Sequence, residues 1–435
     1  MLSKGWRRSF PGFRLLGIAL AGLVTANAWA WKHDKPSTPA SPQAPSARID
    51  TGPLEYHPLS SFYLMARSSS SSLDFIDSEH LLFTFKVAGL MKRTPDCQPE
   101  DEDQLIRAVV VHLPDGKVEQ SAEWRMHDRA QYLWALGNGK FMVRQRDTLA
   151  TTDSSLELHP FLQSSTPLRL VKLSPDAHLV LVENDFEKHT EEEHKRLTEA
   201  AELEGLSPPR EDVKMTVMRI SDGTVLLRAR ALNVTDLPMI SEGYIETLAG
   251  QGEHWMLRYK PFQGEPTVIG NIASSCRPHE IQVNDKTTVV SICADRGDDH
   301  IEQAISLQGK MLWTYRWDNH YIWPTTAASE SGRRIAISTL RVSHPVSVYD
   351  PFDESEVQAQ RVDVLDTETG RLELTQYATP VMSAGQNYAL SPQGDRFAVL
   401  RENAIEIYNL PPAAAESAGG GAPVATAAQV LAGAN

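Results

Sequence analysis

The chain has 435 residues, 23% of them charged and 41% hydrophobic, a globular composition with room for one large domain or two medium ones. That composition excludes collagen-like, coiled-coil, disulfide-dense and polytopic membrane classes. With 42 Lys and Arg against 56 Asp and Glu, the net charge of −14 disfavours a nucleic-acid partner. Residues 1–30 read as a secretory signal. Lys4, Arg7, Arg8 and Arg14 are its positive region, Leu15 to Ala26 its apolar stretch, and Ala28-Trp29-Ala30 its cleavage pattern. The stretch is shorter than the roughly 20 residues that span a bilayer, so no stable membrane insertion is expected after its removal. Residues 31–54 form a Pro/Ser/Ala-rich linker and 412–435 an Ala/Gly-rich tail expected to be disordered, which leaves 55–411 to fold.

Within 55–411, short β-branched and aromatic runs alternate with two kinds of tight turn. One kind precedes an apolar strand: Ser174-Pro175-Asp176-Ala177, Asn284-Asp285-Lys286, Glu330-Ser331-Gly332-Arg333 and Ser391-Pro392-Gln393-Gly394. The other is a Gly turn: Pro114-Asp115-Gly116, Ser221-Asp222-Gly223, Leu307-Gln308-Gly309 and Asp366 to Gly370. Together they divide the chain into seven four-stranded units, 70–126, 131–162, 168–232, 242–275, 277–317, 324–377 and 387–409. The last unit lacks a fourth strand, and Ser60 to Ala66 is an orphan strand at the other end. The expected fold is therefore an all-β, seven-bladed β-propeller closed by an N-terminal strand. Two β-sandwich domains are the alternative.

The pattern resembles WD-repeat-type bacterial β-propellers, through Ser174-Pro175-Asp176-Ala177 followed by Leu179–Asp185, and through Val362–Leu374. The Trp-Asp and Gly-His pairs of eukaryotic repeats are missing, apart from Trp317-Asp318 in an unrelated slot. The chain is also similar to uncharacterised exported propellers of soil bacteria. That likeness implies the fold and export and brings no activity with it.

Three cysteines in an exported chain suggest one bridge and a leftover. If Asn284-Asp285 is a two-residue hairpin turn, Val283 opposes Lys286 and Cys276 falls opposite Cys293. That would be a non-hydrogen-bonded site, where α-carbons approach to about 4.5 Å, within disulfide range. Cys97, among acidic neighbours, reads as an inert thiol.

In such a fold the first-to-second and third-to-fourth turns share one face, and the remaining connections share the other. The large insertions, 88–104, 186–212, 294–303 and 342–360, all join second strands to third. They hold 22 acidic and 7 basic residues, an excess of negative charge as large as that of the whole chain. Such a face attracts cationic partners, while solvated loops are also acidic for solubility alone. Segment 186–212 should contain the one helix, capped by Thr190 and Glu193 and stopped by Gly205, with Leu197, Ala200, Ala201 and Leu203 as a narrow apolar stripe. His189 and His194, five apart, would face different ways on it.

Catalytic signatures are sparse. His279-Glu280 begins a zinc-hydrolase motif but Val283 replaces its second His, and no G-x-S-x-G elbow exists. Gly137-Asn138-Gly139-Lys140 and Gly250-Gln251-Gly252 read as hairpin turns without the helix that would bind phosphate. Gly309–Trp313 is a single copy of a quinoprotein-like docking repeat, so Trp313 is expected to pack between blades. Two acidic His-containing loops, Asp298-Asp299-His300 and Asp318-Asn319-His320, are weak candidates for a divalent cation. Trp323, Asp350, Asp353 and Glu354 are candidate binding-face residues. No other cofactor is implied. The expectation is an exported, periplasmic or extracellular binding or scaffold module that meets a protein, a glycan or a cationic ligand through its acidic face. A metal-assisted hydrolase or lyase using the Asp/His loops is the alternative.

Overall fold

The computed structural model describes residues 43–58, 70–89, 102–127, 130–185, 190–203, 213–231, 237–240, 242–294, 299–347, 353–383 and 386–412. They form seven antiparallel sheets of four strands each. The first blade is Ser71–Phe75, His80–Lys86, Gln104–His112 and Val118–Met126. The second is Leu133–Gly137, Lys140–Gln145, Thr148–Thr152 and His159–Gln163, and the third Leu168–Leu173, Leu179–Asp185, Val213–Arg219 and Val225–Ala231. Met239–Ile240, Gly243–Ala249, His254–Pro261 and Thr267–Ala273 make the fourth. His279–Asn284, Thr287–Ala294, Asp299–Ser306 and Met311–Trp317 make the fifth, and Tyr321–Ala328, Arg334–Val342, Val357–Asp366 and Leu372–Ala378 the sixth. The seventh is Tyr388–Leu390, Arg396–Leu400 and Ala404–Asn409, completed by Ala47–Asp50 from the other end of the chain. The protein is a seven-bladed β-propeller, and the two-sandwich alternative is excluded.

Second strands are buried on both faces, because a neighbouring blade covers each side. This is why they read as continuous apolar runs, such as Leu179–Val182 and Phe397–Leu400, all nearly inaccessible. Every neighbouring pair of blades shares its own apolar cluster, and the seventh meets the first through Leu400, Ile405, Leu81 and Phe83. The ring is therefore closed by packing as well as by hydrogen bonds.

Closure differs from expectation in one respect. The segment Ser60 to Ala66 lies outside the described residues, and the closing strand is Ala47–Asp50, within the expected linker. Only Ile49 of its four side chains is buried, so it carries too little alternation to stand out. Arg48 pairs with Glu406 at 2.5 Å, and Tyr56, a few residues on, packs edge-on against Phe83 and Phe85. In the fourth blade the innermost strand begins at Met239, three residues before the expected start. The signal, the beginning of the linker and the tail from 413 also fall outside the described residues. Among the described residues no helix is long and apolar enough to cross a membrane.

Trp313 does pack between blades. Its indole N–H donates to the Thr367 carbonyl of the sixth blade at 2.7 Å. Trp124 makes the equivalent bond from the first blade to Leu156 of the second, at 3.2 Å. Gly370 has φ +67°, and a Cβ there would stand 2.4 Å from Trp313 Cγ. Gly370→Ala is therefore expected to cost at least about 2 kcal/mol from overpacking and backbone strain together, read as a lower urea midpoint.

Cys276 and Cys293 form the disulfide, with α-carbons 5.5 Å apart. The register behind it is not the one expected. Asp285-Lys286 is the two-residue turn, Asn284 opposes Thr287, and a bulge at Val283 shifts the remaining pairs by one. Cys276 lies outside the ladder, in the connection before His279, which is free to bring its sulfur to Cys293.

Candidate functional site

The ends of the second and third strands bring all four insertion points to one end of the ring, because antiparallel connectivity alternates direction. In the third blade the insertion carries helix α1, Glu191–Leu203. Thr190 Oγ1 accepts the Glu193 N–H at 3.3 Å, the expected cap, and three Glu occupy the first turn. Glu193 also pairs with Arg230 at 3.3 Å, which ties α1 to the outer strand. Its side chains at 194, 197 and 200–203, and His189, lie outside what is described.

The insertion in the fifth blade is shorter than expected. The third strand already begins at Asp299, so His300 is a strand residue rather than a loop residue. His300 stands opposite Cys293 on one side and Trp317 on the other. That register brings it to the blade end that continues into Asp318-Asn319-His320. Asp298 and Asp350 lie outside the described residues. Asp318 Oδ1 accepts the backbone N–H of His320 at 3.0 Å and faces its Nδ1 at 3.1 Å, so the two hold each other in a tight turn. Asp353 plays a similar local part. Its carboxylate accepts the Ser355 N–H at 2.8 Å, which holds its pKa below the usual range, and opens the short 3-10 turn Glu354–Glu356. His344 stands 3.8 Å from Glu356.

Glu302, counted with this insertion, is buried on the third strand, with Ser291 Oγ donating to one carboxylate oxygen at 2.5 Å. Burial pushes its pKa up to about 7. The folded state therefore favours the protonated form: stability is full below the unfolded-state pKa and is lost as pH rises toward 7. The loss between pH 4.5 and 7.5 is expected to be on the order of 3 kcal/mol, and Glu302→Gln should flatten that slope in melts across the range.

Trp323 is the one indicated side chain on this face that the structure sets apart. It lies near the insertion-bearing end of the innermost strand of the sixth blade and is 50% exposed. The ladder breaks between Ile322 and Thr325, and Trp323 has φ +50°, a left-handed conformation rare for a bulky residue. The bulge offers the indole to solvent at a cost in backbone strain.

The opposite, tight-turn end holds a second feature. A cavity of about 290 Å³ lies on the ring's axis, lined by the innermost strands of all seven blades from Asp74 to Leu390. None of the indicated site residues lines it. Asp74, hydrogen-bonded by Ser72 at 2.7 Å, has its pKa raised to about 6 by burial. Across the mouth, Glu330 of the sixth blade accepts the backbone N–H of Asn138 of the second at 3.2 Å. Thus Gly137-Asn138-Gly139-Lys140 is the expected hairpin turn, and a carboxylate of the chain itself occupies it. Glu330 was legible only as a turn residue, since nothing local indicates that its partner lies across the ring.

The class these features define is a closed seven-bladed propeller whose four insertion points share one end. No protein-family model matches the chain, and no curated protein matches it. Its fold is similar to acylaminoacyl peptidase from Pyrococcus horikoshii, with TM-score 0.45, 9% identity, and coverage of 80% of this chain and 52% of the other. The chain thus spans about half the length of that peptidase. TolB from Acinetobacter baumannii aligns with TM-score 0.35 and 13% identity over 76% of this chain and 79% of TolB. An uncharacterized Listeria monocytogenes protein gives 0.43 and 7%, over 81% and 98%. At these scores the likenesses carry no argument, and the fold stands on the seven sheets themselves.

Proposed function

We propose that this protein is exported, akin to WD-repeat-type bacterial propellers, and acts as a binding or scaffold module through its insertion-bearing face. The carrying observation is Trp323, an indole held half exposed by strained backbone at the inner edge of that face. An aromatic anchor beside acidic segments suits a cationic stretch of a partner protein, because the field steers it and the ring takes up its apolar stems. The Cys276–Cys293 bridge suits the oxidising compartment that export implies.

The test is a fluorescence titration with a decalysine peptide. Binding is expected, weakening at least tenfold as the salt rises and the Debye length falls below about 8 Å. Trp323→Ala should reduce affinity about tenfold. Affinity indifferent to both salt and Trp323 would overturn the reading. A further expectation separates binding from folding. Trp323→Gly relieves the positive φ, so its melting temperature should stay at or above that of the parent while its affinity falls.

A further inference from the structure

We propose that His80, His112 and Glu119 of the first blade form a site for a divalent transition-metal ion of the Zn²⁺ type, on the tight-turn end of the ring. His80 opens the second strand and His112 closes the third, directly opposite each other. The Leu113 N–H donates to the Glu79 carbonyl at 2.7 Å, which makes His80 and His112 a non-hydrogen-bonded pair. At such a pair the α-carbons approach to about 4.5 Å and the side chains lie close together. The ring centroids are 5.5 Å apart with planes at 61°. An ion bound by both Nε2 atoms stands about 3 Å from each ring centre, which puts the centres about 5 Å apart, close to what is found.

Both rings are already oriented as ligands are. His80 Nδ1 faces the two Asp77 oxygens at 2.9 and 3.0 Å, and His112 Nδ1 faces Asp115 at 2.8 Å. A carboxylate on Nδ1 fixes the tautomer that leaves Nε2 as the metal-binding atom. Asp77 is itself fixed, accepting the Glu79 and His80 N–H groups at 2.7 and 2.9 Å. His80 Nε2 faces Glu119 Oε2 at 3.2 Å, a spacing two ligands of one ion can share. Among the described residues no three His, Cys, Asp or Glu side chains stand ready-made around an ion. The His pair supplies two donors, and rotation of the exposed Glu119 carboxylate brings in the third. Three protein donors leave one position of a tetrahedral ion to water. Glu79 adds negative charge beside His112. The site is independent of the insertion-bearing face.

The test is calorimetric titration of untagged, metal-free protein with ZnCl₂, paired with the absorption spectrum after loading with Co²⁺. One saturable equivalent with micromolar affinity and a four-coordinate Co²⁺ spectrum is expected. His80→Ala and His112→Ala should each weaken binding at least thirtyfold, Glu119→Gln about tenfold, and His320→Ala not at all. His112→Asn, which preserves a polar group at the turn, is a second variant, and melts of each metal-free protein show that it folds. No saturable equivalent, or one that survives His80→Ala and His112→Ala, overturns the proposal.

Discussion

Arg334→Ala is expected to destabilise the protein by about 3 to 5 kcal/mol, the largest effect of any single substitution discussed. Arg334 is almost wholly buried on the second strand of the sixth blade. Its Nε donates to Glu373 at 2.5 Å, one terminal nitrogen to the Gly394 carbonyl at 2.5 Å, and the other to the carbonyl of Pro411. One side chain thus holds the sixth blade, the first turn of the seventh, and the segment that follows the last strand. Removing it strands the Glu373 carboxylate, 1% exposed, with only the outward-lying Arg371 at 2.8 Å, and leaves two carbonyls without their donor. Replacing both partners, as Arg334→Met with Glu373→Leu, should recover most of the loss, because no uncompensated charge is then buried. Urea unfolding read by circular dichroism measures both variants. A single variant within about 1 kcal/mol of the parent would show that the pair contributes little.

Ile49→Asp should come close to that effect, at more than about 3 kcal/mol. Ile49 is 4% exposed, lies in the cluster shared by the seventh and first blades, and belongs to the strand paired with Ala404–Ile407. A carboxylate there both loses the apolar contact and frees the edge of Ala404–Asn409 for pairing with another chain. The measurement is a melt together with light scattering. Lower stability accompanied by concentration-dependent association is the expected pair of results. An unchanged melt would mean that the ring does not depend on this strand.

The blades were legible because the information is local. Asp366 accepts the N–H of Thr369 at 2.9 Å and the turn ends in Gly370 at φ +67°, a reversal written within five residues. Doubly covered second strands advertise themselves as unbroken apolar runs. What escaped reading depends on register or on distance across the ring. The bulge at Val283 moved the pairs beneath the disulfide by one, yet the bridge formed because Cys276 lies outside the ladder. Ala47–Asp50 has a single buried side chain, too faint a pattern to outweigh Ser60 to Ala66. Asp318 and His320 read as weak cation candidates, and Asp353 as a binding-face residue, because turn-forming carboxylates and ligand-binding ones are the same residues. Their hydrogen bonds go to their own turns. The His80–His112 pair was recoverable in principle from Asp77-x-x-His80 and His112-x-x-Asp115 flanking two reversals. Recognising it required the register of two strands separated by the insertion 88–104, which the sequence does not fix.

Ile407 is paired with Ala47, 360 positions earlier in the chain. During synthesis, the strand that completes the circle emerges early and must wait for the final three before it has anything to zip onto. Each nascent molecule therefore carries an unpaired first strand until Ala404–Asn409 has been made, and the closure that follows is long-range and slow by its topology. A chain that stays open until Ala404–Asn409 appears is also one that can be threaded through a narrow conduit first and assembled on the far side.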